Sequence, residues 1–288
     1  MRSFAEMLAR SGELGLDETV LLLEEESSGV ARRQLLDAMT SRLDAMARSV
    51  REAGSAPCRA RFVADDALTM RGYEGGLSGP FTLRACQIAL SVAAYNASMG
   101  RIVAAPTAGS CGILPGLLFA YDEIFGPPRE RLVGALVVAA GVGEVIARRA
   151  TLAGAEGGCQ AECGAAGAMG AAALVFLRGG RPEASAHGAA LLLKSVLGLV
   201  CDPVAGLVEV PCIKRNGLLT GLTVLAADMA LAGIRSVIPP DEVVDAMAAV
   251  GRAMPDIFRE TARGGLAATP TGRSLRKALA EEAPNLQE

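Results

Sequence analysis

The sequence is poor in aromatic side chains: it has no tryptophan, and aromatic residues make up 3% of its 288 residues. Large rings therefore cannot supply most of the packing. Just over half of the residues, 51%, are nevertheless hydrophobic, and 34 are glycine. Because alanine and glycine dominate the apolar runs, we expect helices that pack closely on small residues and are buried on most sides.

Long apolar runs and a broad basic surface are also missing. The runs 132–143 and 163–177 end at charged residues and fall short of the roughly 18 to 20 residues needed to span a bilayer. The first residues, MRSFAEMLARSGEL, lack a continuous apolar segment, so no secretory signal is predicted. The net charge of −3 is mixed in sign along the chain, which gives no basic footprint for nucleic acid. Neither a membrane nor a nucleic acid is therefore an expected partner.

The seven cysteines are an odd number and include no CxxC pair. An odd number of thiols without an export signal favours a reducing compartment, and we expect the cytoplasm. Structural zinc sites usually need four ligands in paired short spacings, so the missing CxxC pairs count against such a site.

Alternation of apolar and polar residues at period two is nearly absent, and only 206–210 could form a short strand. Apolar residues instead repeat every three or four positions over 36–50 and 243–254, and Pro80 suits the first position of a helix. We predict an all-α fold with one helical domain and glycine-rich site loops. Its expected parts are N-terminal helices over 1–56, a core over 57–275 and a tail over 276–288.

Three cysteines lie in irregular stretches beside glycine or proline, where loops can turn several thiolates toward one point: Cys159, Cys201 and Cys212. Cys58 and Cys86 are more typical of small buried side chains. The residues alone leave open a zinc site, a disulfide between Cys201 and Cys212, and an iron–sulfur cluster. Three soft ligands without a fourth suit a cluster with one open iron better than zinc.

Four longer motifs resemble those of a known family: PTAGSCGILPG (106–116), GCQAECG (158–164), CDPVAGLVEVPCIKRN (201–216) and GGLAATPTG (264–272). Together they make the chain, from roughly residue 4 to 275, similar to the α chain of the two-subunit, iron–sulfur-dependent L-serine dehydratases (L-serine ammonia-lyases). The resemblance implies an all-α catalytic domain with a 4Fe-4S cluster on Cys159, Cys201 and Cys212. It also implies a separate β subunit, and a homo-oligomer is a further expectation.

The resemblance implies a reaction as well. An open iron would act as the Lewis acid for the hydroxyl of L-serine, and a base would remove the α-proton. Aminoacrylate would leave and hydrolyse to pyruvate and ammonia. The expected catalytic residues are Lys214, Glu162 and Asp202. The two carboxylates suit acid–base catalysis, and either could instead contact a metal ligand without touching the substrate. Lys214 could equally be a surface cation.

Substrate contacts are expected from one loop and from the residues that follow Cys212. The predicted substrate-binding residues are Thr107, Ala108, Gly109, Ser110, Arg215 and Asn216. The loop offers backbone N–H groups and two hydroxyls to a carboxylate. Arg215 could neutralise that carboxylate, and Asn216 could hydrogen-bond the substrate or cap the helix that follows.

Two segments depart from the family pattern. Residues 57–70 lack the serines and glycines expected there, and Arg149 and Ala153 replace an asparagine and a serine. Lost hydroxyls mean lost hydrogen bonds to a substrate, so a related β-hydroxy amino acid stays open beside L-serine. Two other functions also stay open. One is a non-catalytic 4Fe-4S redox-sensing or assembly protein, and the other is a pyridoxal-phosphate lyase using Lys214 or Lys194, which the shortage of strands disfavours.

Overall fold

The structure is a computed structural model that describes residues 1–12, 14–55, 58–64 and 66–282. Within these ranges there are thirteen α-helices and no β-strand, so the predicted all-α fold is confirmed. The helices are α1 (Phe4–Ser11), α2 (Leu16–Ser28), α3 (Arg32–Ser55), α4 (Asp66–Arg71), α5 (Gly79–Ala97), α6 (Ile113–Phe125), α7 (Arg129–Arg149), α8 (Gly154–Gly157), α9 (Ala165–Leu177), α10 (Pro182–Ser195), α11 (Cys212–Leu231), α12 (Pro240–Ala253) and α13 (Pro270–Glu282).

The apolar periodicity of the sequence places several helices correctly. The repeat over 36–50 lies within α3, where Leu43 and Met46 are buried. Pro80 stands in the first turn of α5 as predicted. In α12, Val243 and Met247 face the core. These helices form because one apolar stripe can be buried while the opposite face remains polar.

Helix α9 lies at the centre of the molecule, and all thirteen of its residues are buried. A π-helix, Gln160–Gly164, runs directly into it. The joined stretch Gln160–Leu177 is long and apolar enough to cross a membrane by composition, but 94% of it is buried inside the protein. It is therefore packed as the core helix of this fold, against α7 on one side and α10 on the other.

Close packing depends on glycine at the helix contacts. A Cβ on Gly167 of α9 would overlap the Leu192 side chain of α10, and one on Gly116 of α6 would lie 2.6 Å from the Ala85 carbonyl oxygen of α5. Because neither contact leaves room for a methyl group, the helix axes lie closer than larger residues would allow. The expectation that small residues supply the cohesion is confirmed at these contacts.

The short strand considered at 206–210 is wrong. Residues Val204–Gly206 form a 3-10 turn, and the chain then bends until α11 begins at Cys212. Pro203 and Pro211 flank this stretch, and no neighbouring strand among the described residues could pair with it. The domain limits stay a prediction. Residues 56 and 57, at the first limit, and 283–288 of the expected tail lie outside the described residues.

Replacing Gly116 with alanine should lower the free energy of unfolding by about 1 to 3 kcal/mol, because the added methyl must displace the Ala85 carbonyl or the Ala89 methyl. Thermal denaturation measures this loss. The matched control is Gly54→Ala on the exposed end of α3, where an added Cβ meets nothing within 4 Å. That change should leave stability equal or raise it by about 0.5 to 1 kcal/mol. Equal effects of the two substitutions would contradict the packing argument.

Candidate functional site

One carboxylate lies where the glycine-bearing loops meet. Glu162 Oε1 accepts a hydrogen bond from the Thr107 hydroxyl at 2.8 Å, and Oε2 lies 3.7 Å from the Cys201 sulfur, whose thiol donates. Glycine backbone encloses this group. A Cβ on Gly109 would lie 3.2 Å from Oε1, and one on Gly154 would overlap Oε2. Burial raises the pKa of Glu162, while the hydrogen bond from Thr107 acts in the opposite direction.

The π-helix that carries Glu162 is fixed by a buried amide. Gln160 donates from Nε2 to the Met247 carbonyl at 3.1 Å and accepts at Oε1 from the Gly198 N–H at 2.9 Å. Its backbone N–H also bonds the Leu199 carbonyl. Short π-helices occur frequently at functional sites because they re-aim side chains within a helix. Here the segment begins directly after Cys159 and places the Glu162 side chain toward Thr107.

The loop at 107–110 is a tight 3-10 turn closed by its own hydroxyls. The Thr107 N–H donates to Ser110 Oγ, and the Ser110 N–H donates back to the Thr107 carbonyl. Ser110 is fully buried, whereas Ala108 is exposed. The N–H groups of Ala108 and Gly109 donate to no other described residue. The turn thus holds two backbone donors available for an anion.

Asn216 clamps this turn to α11. Its Nδ2 donates to the Gly109 carbonyl at 2.8 Å and to the Cys212 carbonyl at 2.9 Å, and its Oδ1 accepts from the Gly112 N–H at 2.9 Å. The residue is 1% exposed. Its amide therefore positions the loop through backbone groups, and direct contact with a substrate stays a prediction.

Arg215 and Asp202 form a buried ion pair with a separation of 2.9 Å. Arg215 also donates to the Val200 carbonyl at 2.9 Å. The second Asp202 oxygen accepts from the Leu266 N–H at 2.8 Å. Asp202 thereby anchors the motif at 264–272, and both of its oxygens are engaged. Proton transfer by Asp202 and carboxylate binding by Arg215 stay predictions.

Cys159, Cys201 and Cys212 are all buried, and the negative charge of Cys159 acts on the other two. A hydrogen bond from the Cys163 thiol lowers the pKa of Cys159, and the Arg215 charge acts in the same direction. Burial raises the pKa of Cys201 and raises that of Cys212 to about 12.

Within the described ranges, no group of three or more histidine, cysteine or acidic side chains is arranged to hold a single metal ion. A four-iron cubane holds its cysteine ligands farther apart than one ion does. The three soft sulfur donors, and the Arg215 guanidinium whose charge acts on Cys159 and offsets negative charge, suit a cluster of this kind in their chemistry.

Lys214 is not brought to this centre. Its ammonium lies 2.9 Å from Asp66 of α4, and its side chain is 57% exposed. The alternative in which Lys214 forms a Schiff base with pyridoxal phosphate gains no support from this exposed position.

Segment 58–64, part of the region that departs from the family pattern, is held by the buried Glu209. That carboxylate accepts the Arg61 and Phe62 N–H groups at 2.9 and 2.8 Å.

Arg149, in the second departing segment, has a structural partner. Its guanidinium pairs with Asp245 at 2.6 Å and with Asp241 at 3.7 Å, both on α12. Asp241 also accepts the Phe4 and Ala5 N–H groups at the start of α1. Arg149 thus joins α7 to α12, and Asp241 joins α12 to α1.

One contributor to the site escaped sequence reasoning. Gly154 is needed because its missing side chain leaves room for Glu162. No local signal could have indicated this, since it depends on a residue eight positions away. Cys163, four residues after Cys159, is buried, and its sulfur lies 4.0 Å from the Gly109 carbonyl oxygen.

Comparison with known proteins identifies the family of this chain. A family model described as the serine dehydratase alpha chain matches residues 12–267. The probable L-serine dehydratase alpha chain of Bacillus subtilis is 44% identical over 276 residues, which cover 94% of this chain and 92% of that one. The L-serine dehydratase alpha chain of Peptoniphilus asaccharolyticus is 42% identical over 284 residues, 96% of this chain and 97% of that one. An L-serine dehydratase of Escherichia coli matches at 44% over 181 residues, only 40% of its length.

Asn216→Asp should lower the free energy of unfolding by about 1 to 3 kcal/mol, because a carboxylate oxygen would replace the donor to the Gly109 and Cys212 carbonyls. Chemical denaturation measures the loss. Asn96→Asp is the matched control, since Asn96 donates to Ala108 of the same loop from a more exposed position. It should cost about 0.5 kcal/mol or less. Equal losses would show that the buried amide does not fix the loop.

Proposed function

Because this chain belongs to the serine dehydratase alpha chain family, we propose that it eliminates water from L-serine to give pyruvate and ammonia, with a 4Fe-4S cluster held by Cys159, Cys201 and Cys212. The observation that carries the proposal is the Glu162 carboxylate, which is enclosed by glycine, hydrogen-bonded by Thr107 and in contact with the Cys201 sulfur. A base and a metal ligand thus share one enclosure.

The three cysteines would hold the cluster, and when bound it would supply a Lewis acid for the hydroxyl through an iron that no cysteine ligates. Cys159 lies beside Arg215, whose positive charge favours its thiolate. Cys201 lies on an extended segment fixed by backbone hydrogen bonds from Cys201 to Phe258 and from Glu260 to Cys201. Cys212 opens α11. The ligands therefore sit on three separately supported segments.

Substrate binding is assigned to the turn at 107–110. The Ala108 and Gly109 N–H groups would donate to the carboxylate of L-serine, and the turn would keep its shape because Asn216 holds the Gly109 carbonyl. Backbone donors suit this role because Arg215, the cation predicted to bind the carboxylate, is already bonded to Asp202. Such fixed donors orient the α-carbon toward Glu162.

Glu162 is assigned as the base that removes the α-proton of L-serine. Its Oε1 would exchange the hydrogen bond from Thr107 for the proton of the substrate, and the electron pair left on the α-carbon would form the double bond as the hydroxyl leaves. Glu162 would then pass that proton to the departing hydroxyl, so the products of the step are aminoacrylate and water. Aminoacrylate rearranges to its imine, and a second water hydrolyses the imine to pyruvate and ammonia.

A separate β subunit is proposed as the partner, because the relatives that match over nearly their whole length are named alpha chains. We also place the protein in the cytoplasm, where the free thiols of the described residues would stay reduced. A related β-hydroxy amino acid remains the competing substrate, because segments 57–70 and 149–155 differ from the family pattern.

Glu162→Gln should lower kcat for L-serine by about 100-fold or more while iron content and visible absorbance stay unchanged, because only the proton acceptor is lost. Anaerobic pyruvate release and iron analysis measure the two effects. The matched control is Glu156→Gln, an exposed glutamate that hydrogen-bonds Thr151, and it should keep near-normal kcat. Full activity of Glu162→Gln would remove Glu162 as the base.

Replacing Cys159, Cys201 or Cys212 with serine should abolish the brown colour of anaerobically purified protein, because each removes one of three soft ligands. Cys86→Ser, on α5, is the control and should retain colour and iron. Retention of iron in all three site variants would refute the cluster.

The substrate is tested with a panel of β-hydroxy amino acids, each with and without a β chain. Pyruvate and ammonia from L-serine are the expected products. A brown protein that releases no 2-oxo acid from any member of the panel would instead favour a redox-sensing or assembly role.

A further inference from the structure

The outward face of α11 carries an exposed apolar stripe. Leu218 and Leu225, one heptad apart, are 71% and 56% exposed, and the partly exposed Gly221 and Leu222 lie between them. These four positions follow the spacing of three and four that places residues on one side of a helix. A single exposed leucine needs no explanation, but a row of apolar residues along one helix marks an interaction surface.

A charged residue lies at each end of this stripe, and the two residues have opposite charges and are equally far from Gly221. Lys214 lies seven positions before Gly221, and the exposed Asp228 lies seven positions after it. No ion pair among the described residues involves Asp228, whereas Lys214 reaches Asp66 and remains 57% exposed. The two opposite charges therefore lie at equal distances from Gly221, and Leu218 and Leu225 lie three residues before it and four residues after it.

We propose that this stripe docks on the same stripe of a second copy of the chain, with the two α11 helices antiparallel and a two-fold axis passing near Gly221. Lys214 then faces Asp228 of the second copy, and Leu218 packs beside Leu225 of the second copy. A parallel arrangement would set lysine against lysine and aspartate against aspartate. Antiparallel helices also place opposite dipole ends together.

Gly221 makes close approach of the helices possible. A Cβ built there would be in ordinary contact with the Thr82 side chain, at 3.5 Å, so the glycine leaves room beside Thr82 for a side chain of the second copy. Thr82 belongs to the first turn of α5, and Leu77 in the loop that leads into α5 is fully exposed. A stable interface buries about 800 Å² on each partner, so the start of α5 is expected to extend the contact.

A second copy is favoured over a different chain because of the symmetry. An isologous interface requires each residue of the patch to find its complement in the same patch, and Lys214 and Asp228 satisfy this about one point. An unrelated partner places no such condition on the order of charges. The inference rests on α11 alone and does not depend on the proposed reaction.

Sedimentation of the full chain at micromolar concentration tests the oligomeric state. The wild type should be a dimer, and Leu218→Glu and Leu225→Glu should each shift it to monomer with an unchanged far-UV circular dichroism spectrum, because both side chains are exposed in the single chain. Val237→Glu is the control: Val237 is 91% exposed in the loop after α11, and its change should leave the dimer intact. A wild-type monomer, including one that assembles only with a β chain, would overturn the proposal. So would a dimer that survives both glutamate substitutions.

Disulfide trapping tests the direction of the helices. Gly221→Cys lies at the two-fold axis and should cross-link to itself under mild oxidation. Asp228→Cys should not, because antiparallel packing separates it from its counterpart by about 21 Å, fourteen residues at 1.5 Å each. The wild-type chain controls for its own cysteines. Cross-linking of Asp228→Cys without Gly221→Cys would overturn the antiparallel geometry.

Discussion

The ion pair between Arg215 and Asp202 is the contact on which the site depends. A buried pair of charges loses hydration, and it persists only where further hydrogen bonds satisfy both groups. Here the Val200 carbonyl accepts from the guanidinium and the Leu266 N–H donates to the carboxylate. These bonds join the first turn of α11, the extended segment and the loop at 264–272. They also direct positive charge at Cys159.

Small residues let these parts approach one another. The chain packs α9 against its neighbours through glycine and alanine. Small residues are used again around the site, where Gly109 and Gly154 enclose Glu162. A scarcity of aromatic residues and a tightly enclosed carboxylate thus have one cause: backbone segments lie in direct contact. The stability of the fold and the shape of the site are consequently difficult to change separately.

Much of the fold could be predicted from the sequence, because helical periodicity is a local property. The stripes of α3 and α12 and the proline that begins α5 needed no knowledge of distant residues. The site was predictable in its segments through their resemblance to a family, but not in its contacts. The clamp of Asn216 on Gly109 joins residues 107 positions apart, and the ion pair of the exposed Lys214 with Asp66 joins residues 148 positions apart. The strand at 206–210 failed because a strand needs a partner, which residue preferences alone do not supply.

Helix α11 begins with a sulfur ligand candidate and continues as a rod of twenty residues with one flank turned to solvent. Cys159 and Cys201 are supported by other segments, so tilting this rod would move one sulfur relative to the other two. A contact made near the far end of α11 would therefore change the distances between the three sulfurs. Quaternary structure and cofactor retention would then be coupled through this one rigid helix.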